Sequence, residues 1–208
     1  MLGIIIFVYL LWRGLKDNYD NQKIISYSWL ALLSFLIVGR LTFGVINWGV
    51  WNSNLMDWVS VWTKPGMSYI GGYLGLLLLT WIYAKGQQWK VLAFGEDIMK
   101  PVLVWSWFLM ADEWWRTKMD FKILVYLMIL IVVYLISVWI GKKYRSFVWY
   151  KSGKKGFVFL FTNFLFFLLL AIDLIVFKED LIGIILASVT SLIFAIGLFI
   201  LGEVKYEK

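Results

Sequence analysis

The sequence predicts an all-α polytopic membrane bundle of about seven transmembrane helices, with the N-terminus outside and the C-terminus inside. Three observations predict it. Of 208 residues, 62% are hydrophobic and 16% charged, and the mean hydropathy is +0.80; a soluble domain is about half apolar and a quarter charged. A soluble fold of this length leaves much of its surface in water and could not hide such an excess. The apolar residues also gather into stretches close to the ~20 residues that a helix needs to cross a ~30 Å hydrocarbon core. Finally, basic residues divide unequally between alternate gaps, as the positive-inside rule requires. Composition therefore excludes an ordinary cytosolic enzyme, a disordered chain and a nucleic-acid-binding domain. The net charge of +7 is read loop by loop against a membrane and not as a basic patch.

The stretches lie at 1–12, 24–46, 67–84, 91–111, 121–140, 156–177 and 181–202, in one membrane domain over 1–208. The first is short. It crosses with Arg13 and Lys16 snorkelling to the surface, or the chain begins partway into a helix. Lacking a basic leader and a small-residue cleavage site, it is not read as a signal peptide. The other six are long enough to cross. With the N-terminus outside, inside gaps hold Arg13, Lys16, Lys23, Lys85, Lys90, Lys142, Lys143, Arg145, Lys151, Lys154, Lys155, Lys205 and Lys208. Outside gaps hold only Lys64, Arg116, Lys118, Lys122 and Lys178. The loop at 142–155 carries most of that bias. Between the second and third spans, Trp48, Trp51, Trp58 and Trp62 recur over 47–65. They predict a helix lying in the outer interface with its indoles at headgroup level. Trp12, Trp89, Trp114, Trp115, Trp139 and Trp149 fall at or near span ends.

The chain has no cysteine and no histidine. Disulfides, thiolate nucleophiles, Ser–His and Cys–His pairs, the usual zinc ligands and His-ligated haem are thereby excluded. Proton transfer falls to carboxylates, lysines, tyrosines or water, and no metal or cofactor site is expected.

Ionisable residues inside spans are functional candidates by default. Arg40 and Asp173 both lie late in outward-running spans. At ~1.5 Å rise per residue they sit roughly 5–10 Å below the outer interface, where they could pair. Asp112 and Glu113 end the fourth span on the same side. The third span enters there with Ser68, Tyr69, Gly71 and Gly72. One reading is a phospholipid pocket: Arg40 holds a phosphate bidentately, and the glycines admit backbone and acyl chain closely. The other is a structural Arg–Asp pair beside a close-packed glycine face. Glu96, Asp97 and Lys100 are spaced for neutralisation along one helix, which is favoured over a proton relay. Pro101 predicts a kink.

Two segments carry a family resemblance. Ser-Phe-Leu-Ile-Val-Gly-Arg-Leu at 34–41 is followed by Pro-Gly-Met-Ser-Tyr-Ile-Gly-Gly-Tyr-Leu-Gly at 65–75. They resemble the bacterial prolipoprotein diacylglyceryl transferases, whose Gly-Arg-Leu-Gly-like helix precedes Gly-Gly-Met-Ser-Phe-His-Gly-Gly-Leu-Leu-Gly. Asp97-Ile98-Met99-Lys100-Pro101 and the basic turn at 151–157 are similar to further parts of that family, and the resemblance runs from about Ile4 to Leu201. It implies transfer of the diacylglyceryl group of phosphatidylglycerol to a lipoprotein cysteine, without metal, in the outer leaflet of the bacterial cytoplasmic membrane. Arg40, Ser68, Tyr69, Gly71 and Gly72 would then line the lipid pocket. The implied partners are a phosphatidylglycerol-like phospholipid and a lipoprotein signal segment or other membrane subunits.

The sequence departs from the family at telling places. Ile70 stands at the motif's histidine. Asp112 and Glu113 stand where an arginine- and amide-bearing signature follows the fourth span. Leu169 stands near a further arginine, with Asp173 at its companion glutamate. The head between the fourth and fifth spans is reduced to about 115–120. Loss of one oxyanion-stabilising donor commonly costs about 10²–10³ in rate. The expectation is a lipid-binding homologue without the standard chemistry. The alternatives are an active transferase using Asp112, Glu113 or Asp173 as base, and a structural subunit of a membrane complex. The lack of an inverted repeat disfavours a transporter.

Overall fold

A computed structural model describes residues 2–47, 66–146, 150, 155–178 and 181–203. The tryptophan-rich segment 48–65, Trp149, the turn residues 151–154, Lys205 and Lys208 lie outside the described residues. The elements are α1 (Leu2–Leu15), α2 (Asn21–Ile46), α3 (Tyr69–Gly86), α4 (Val91–Arg116), α5 (Phe121–Lys143), a 3₁₀ turn (Tyr144–Ser146), α6 (Phe157–Val176) and α7 (Leu181–Glu203). No strand occurs among the described residues.

Local chemistry sets the ends of these helices. Asp20 caps α2, its carboxylate accepting from the Gln22 N–H at 2.7 Å, so α2 starts ahead of its apolar run. Asp120 caps α5 through the Lys122 N–H at 2.9 Å. Each cap satisfies an N–H that has no partner within the helix. At the end of α4, Asp112 pairs with Arg116 one turn on, at 2.6 Å. That pair keeps the charged residues helical beyond the apolar stretch. Pro101 lies buried inside a continuous α4.

Among the described residues, four helices are long and apolar enough to cross a membrane: α2, α5 with its 3₁₀ turn, α6 and α7. Of the six long stretches in the sequence, α3 and α4 do not meet that measure. Glycine and tyrosine dilute α3, and Glu96, Asp97, Lys100, Asp112 and Glu113 dilute α4. α4 packs among several neighbours, whereas α3 leaves Leu78, Trp81 and Ile82 exposed. α3 packs along α2, and α4 touches α1, α3, α5 and α6, while α7 covers α6. Trp105 of α4 packs between Phe7 of α1 and Phe35 of α2, tilted against the first and edge-on to the second, with centroids 4.3 and 4.9 Å away. The exterior is apolar: Leu33, Leu36 and Ile37 of α2 and Ile185, Val189, Leu192 and Phe199 of α7 are exposed. Such faces belong in hydrocarbon, where helices satisfy their own backbone groups. This is a helical membrane protein.

At one end of the bundle, α4 ties down two neighbours. The Tyr19 hydroxyl donates to Asp97 Oδ2 at 3.0 Å. Burial, and then the Asp97 carboxylate, raise the Tyr19 phenol above its usual range, so it stays a donor. Gly156 caps α6 with φ +115° and no side chain to offer. Glu96 Oε2 accepts its N–H instead, at 2.5 Å. A methyl group at Gly156 would also strike Leu92. The expected neutralisation along α4 is therefore corrected: among the described residues no ion pair joins Glu96 or Asp97 to Lys100, which is exposed. A backbone N–H at a helix start offers a carboxylate both a hydrogen bond and the positive end of the helix dipole. Glu96→Ala is accordingly expected to cost about 1–2 kcal/mol, as a lost cap does, and Lys100→Met almost nothing. Thermal unfolding in detergent separates them; equal losses would restore the Glu96–Lys100 pairing.

Candidate functional site

At the other end, the sequence motif builds a seam. Ser68 caps α3, its Oγ accepting from the Gly71 N–H at 3.2 Å. Its own N–H donates to the Gly39 carbonyl of α2 at 3.0 Å. Farther along, Ser34 Oγ donates to the Gly75 carbonyl at 2.8 Å. The glycines bring the two backbones together. Added methyl groups would strike Thr42 from Gly71, Phe35 from Gly72 at 2.7 Å, and Val38 and the Ser34 carbonyl from Gly75 at 2.7 and 2.8 Å. Small residues at helix contacts allow this closeness. Arg40 is buried at the seam, 6% exposed. Its Nη1 donates to the Gly66 carbonyl at 2.6 Å, holding the chain that leads into α3.

Beside the seam opens a cleft of about 530 Å³. Five helices meet there: the C-terminal ends of α2, α4 and α6 and the N-terminal ends of α3 and α5. Its polar lining is Asn47, Ser68, Tyr69, Glu113, Lys122, Tyr126 and Asp173. The remainder is apolar: Phe43, Ile46, Met67, Ile70, Met110, Ile123, Leu170, Leu174 and Phe177. The Lys122 ammonium lies 5.6 Å from the centre of the Phe177 ring. Tyr69, Met110 and Tyr126 also line a smaller cavity of about 20 Å³.

Of the residues singled out in the sequence, Ser68, Tyr69, Glu113 and Asp173 come together in this cleft. Arg40, Gly71 and Gly72 are not among its lining residues; they pack in the α2–α3 seam next to it. Asp112 is exposed on its ion pair with Arg116. Lys122, Tyr126, Phe43 and Phe177 went unnoticed as site residues. Lys122 counts in the sequence as an orientation charge, and aromatic residues at span ends read as interface anchors.

The fold and the cleft define a class: helical membrane proteins with a ligand-sized pocket, part charged and part apolar, at one end of the bundle. The sequence model of the prolipoprotein diacylglyceryl transferase family matches residues 1–110, more than half of the chain. The chain belongs to that family. A phosphatidylglycerol–prolipoprotein diacylglyceryl transferase of Fusobacterium nucleatum subsp. nucleatum is 31% identical over 89 residues, covering 43% of this chain and 31% of that relative. The matched part thus spans about a third of the relative's length. The family match ends at Met110, within α4, so Glu113, Lys122, Tyr126 and Asp173 lie beyond it.

Proposed function

We propose that this chain is a phospholipid-binding member of the transferase family that has given up the family's standard transfer. It sits in the bacterial cytoplasmic membrane, with seven helices across it and the N-terminus outside. The cleft opens in the outer leaflet. One observation carries the reading: Ile70, at the position the resemblance gives to histidine, lines the cleft beside Glu113 and Asp173. The volume, about 530 Å³, falls in the ~300–1,000 Å³ range of small-molecule sites. The orientation is supported by charge. Lys85, Lys90, Lys142, Lys143 and Lys155 lie at or next to helix ends that do not line the cleft, and cations favour the inside. Arg40 stands one layer behind the lining. An apolar residue in place of a base, with carboxylates nearby, neither deprotonates a thiol through imidazole nor stabilises developing negative charge.

The test is complementation. In a bacterium depleted of its own transferase, this chain, well expressed, is expected to leave lipoprotein precursors unconverted, whereas the purified protein retains phospholipid. Conversion near the normal rate would overturn the proposal. The placement of Glu113, Asp173, Ser68 and Tyr69 in one cleft favours a second reading, an active transferase with a carboxylate base. On that reading the wild type converts precursor, and Glu113→Gln or Asp173→Asn abolishes conversion. Partners on either reading are a phosphatidylglycerol-like lipid and, beyond it, a lipoprotein signal segment or other membrane subunits.

A further inference from the structure

A groove of about 440 Å³ runs between Ile4–Trp12 of α1 and Ile25–Trp29 of α2. It lies toward the start of α2, whereas the cleft takes the end of that helix. Trp29 and the cleft residue Phe43 are about 21 Å apart by helical rise. The groove lining carries no charge, but its mouth does. Arg13 Nη1 donates to the hydroxyl of Tyr9, which lines the groove, at 3.2 Å. Lys16 Nζ stands 5.2 Å from the centre of the Trp12 ring. Each contact spans one turn, so the groove's own aromatic wall carries both cations. The Trp12 indole N–H donates to Asn21 Oδ1 at 3.0 Å, which ties that wall to the start of α2. Two acids are close in sequence. Asp20 caps α2 through the Gln22 N–H at 2.7 Å. Among the described residues neither Asp17 nor Asp20 forms an ion pair with Arg13 or Lys16. Lys23 is turned to Trp89, 5.9 Å from the ring centre, and leaves the mouth to Arg13 and Lys16.

We infer that this groove is a second lipid site: it holds one acyl chain of an acidic phospholipid whose phosphate is bound by Arg13 and Lys16. The dimensions match. From Ile4 to Trp12 the wall is about 12 Å long, most of one leaflet's half of a ~30 Å hydrocarbon core. The chemistry matches as well. The Tyr9 hydroxyl and the Trp12 ring are neutral, so they orient the two cations without cancelling their charge. A guanidinium has five N–H donors, and Tyr9 takes one of them. A cation snorkelling alone meets the phosphates of any passing lipid. Here two cations stand over an apolar slot, so one molecule makes the phosphate contacts and the chain contacts together. A zwitterionic lipid brings a cation of its own to a site that already has two, and an acidic lipid does not. On the orientation proposed above, the groove faces the cytoplasmic leaflet and is independent of the cleft.

The experiment titrates the purified full-length protein in detergent with phosphatidylglycerol or with phosphatidylcholine of the same chains, and counts bound lipids by native mass spectrometry. It is run on the wild type and on Ile123→Trp, which fills the cleft. Both are expected to bind the glycerol lipid about fivefold more tightly than the choline lipid, the variant with one lipid fewer. In the Ile123→Trp background, Arg13→Gln with Lys16→Gln is expected to bring the two affinities together. Ile25→Trp, which fills the groove and keeps both cations, is expected to remove the remaining site. An unchanged lipid count on Ile123→Trp, with the preference intact, overturns the cleft reading and supports the groove. Loss of the preference on Ile123→Trp assigns the tight lipid to the cleft and overturns the groove. Equal affinities in the wild type, or a preference that survives the double glutamine variant or Ile25→Trp, also overturn it. So does a dimer that Ile25→Trp splits, since the occupant is then a second copy of the chain. Arg13→Lys with Lys16→Arg, which keeps both charges, is expected to retain the preference, and unfolding midpoints identify any loss that comes from misfolding.

Discussion

Gly71→Ala is expected to lower the thermal unfolding midpoint of the detergent-solubilised protein strongly, while Gly86→Ala leaves it unchanged or raises it. Both glycines lie on α3, and both changes add one methyl group. At Gly71 that methyl group meets Thr42, including its Cβ, which cannot move aside without its backbone. At Gly86 nothing lies within 4 Å. Overpacking of a tight contact costs about 1–3 kcal/mol. Relief by parting α2 from α3 stretches Ser68 N–H to Gly39 O at 3.0 Å, Ser34 Oγ to Gly75 O at 2.8 Å, and the buried Tyr27–Thr80 hydroxyl bond at 2.8 Å. Each is worth about 1 kcal/mol. Association of helices in lipid relies on close packing more than on hydrophobic burial, so the seam has little to fall back on. Equal midpoints for the two variants would show that α2 and α3 are not in this register.

Most of the architecture is legible in the sequence, because lipid imposes one rule on every span. The predicted stretches at 24–46 and 121–140 appear as Asn21–Ile46 and Phe121–Lys143. The start of α2 differs because the Asp20 cap begins the helix ahead of its apolar core. The common depth of Ser68, Tyr69, Glu113 and Asp173 was likewise readable, since rise per residue fixes height along a helix. Rotation about the axis is harder to read. A glycine spacing shows that a face is smooth but not what lies on it, which is why Gly71 and Gly72 fit both a lipid pocket and a helix seam. Contacts across long sequence separations are also hidden. Glu96 and Lys100 satisfy a local rule, yet Glu96 reaches a backbone N–H sixty residues away. Similarly, Tyr126 carries no signal until α5 is laid beside α4 and α6.

Asn163→Leu is expected to destabilise the bundle by about 2 kcal/mol, chiefly through the Tyr73 hydroxyl that it strands. Tyr73 OH of α3 donates to Asn163 Oδ1 of α6 at 3.0 Å. Asn163 Nδ2 donates to the Phe159 carbonyl at 2.8 Å and approaches Met99 Sδ at 3.4 Å. Asn163 is 0% exposed and Tyr73 4%, so water offers neither group a substitute. Leucine preserves the volume and leaves the phenol only the Met99 sulfur, at 3.8 Å. A buried donor left in this way costs about 1–3 kcal/mol. Tyr73→Phe is expected to cost less, because the Asn163 amide keeps its bond to Phe159. The double variant is expected to recover part of the loss, giving a coupling energy of about 1 kcal/mol, within the range of interhelical hydrogen bonds in membranes. Unfolding in mixed detergent measures the cycle. Strict additivity would mean that α3 and α6 are joined by packing alone. The coupling also bears on the cleft: Tyr69 lies one turn before Tyr73 on α3, and Asp173 lies on α6 with Asn163. The Tyr73–Asn163 bond thus fixes the spacing of two cleft walls, and Asn163→Leu is expected to reduce lipid retention while the double variant retains more.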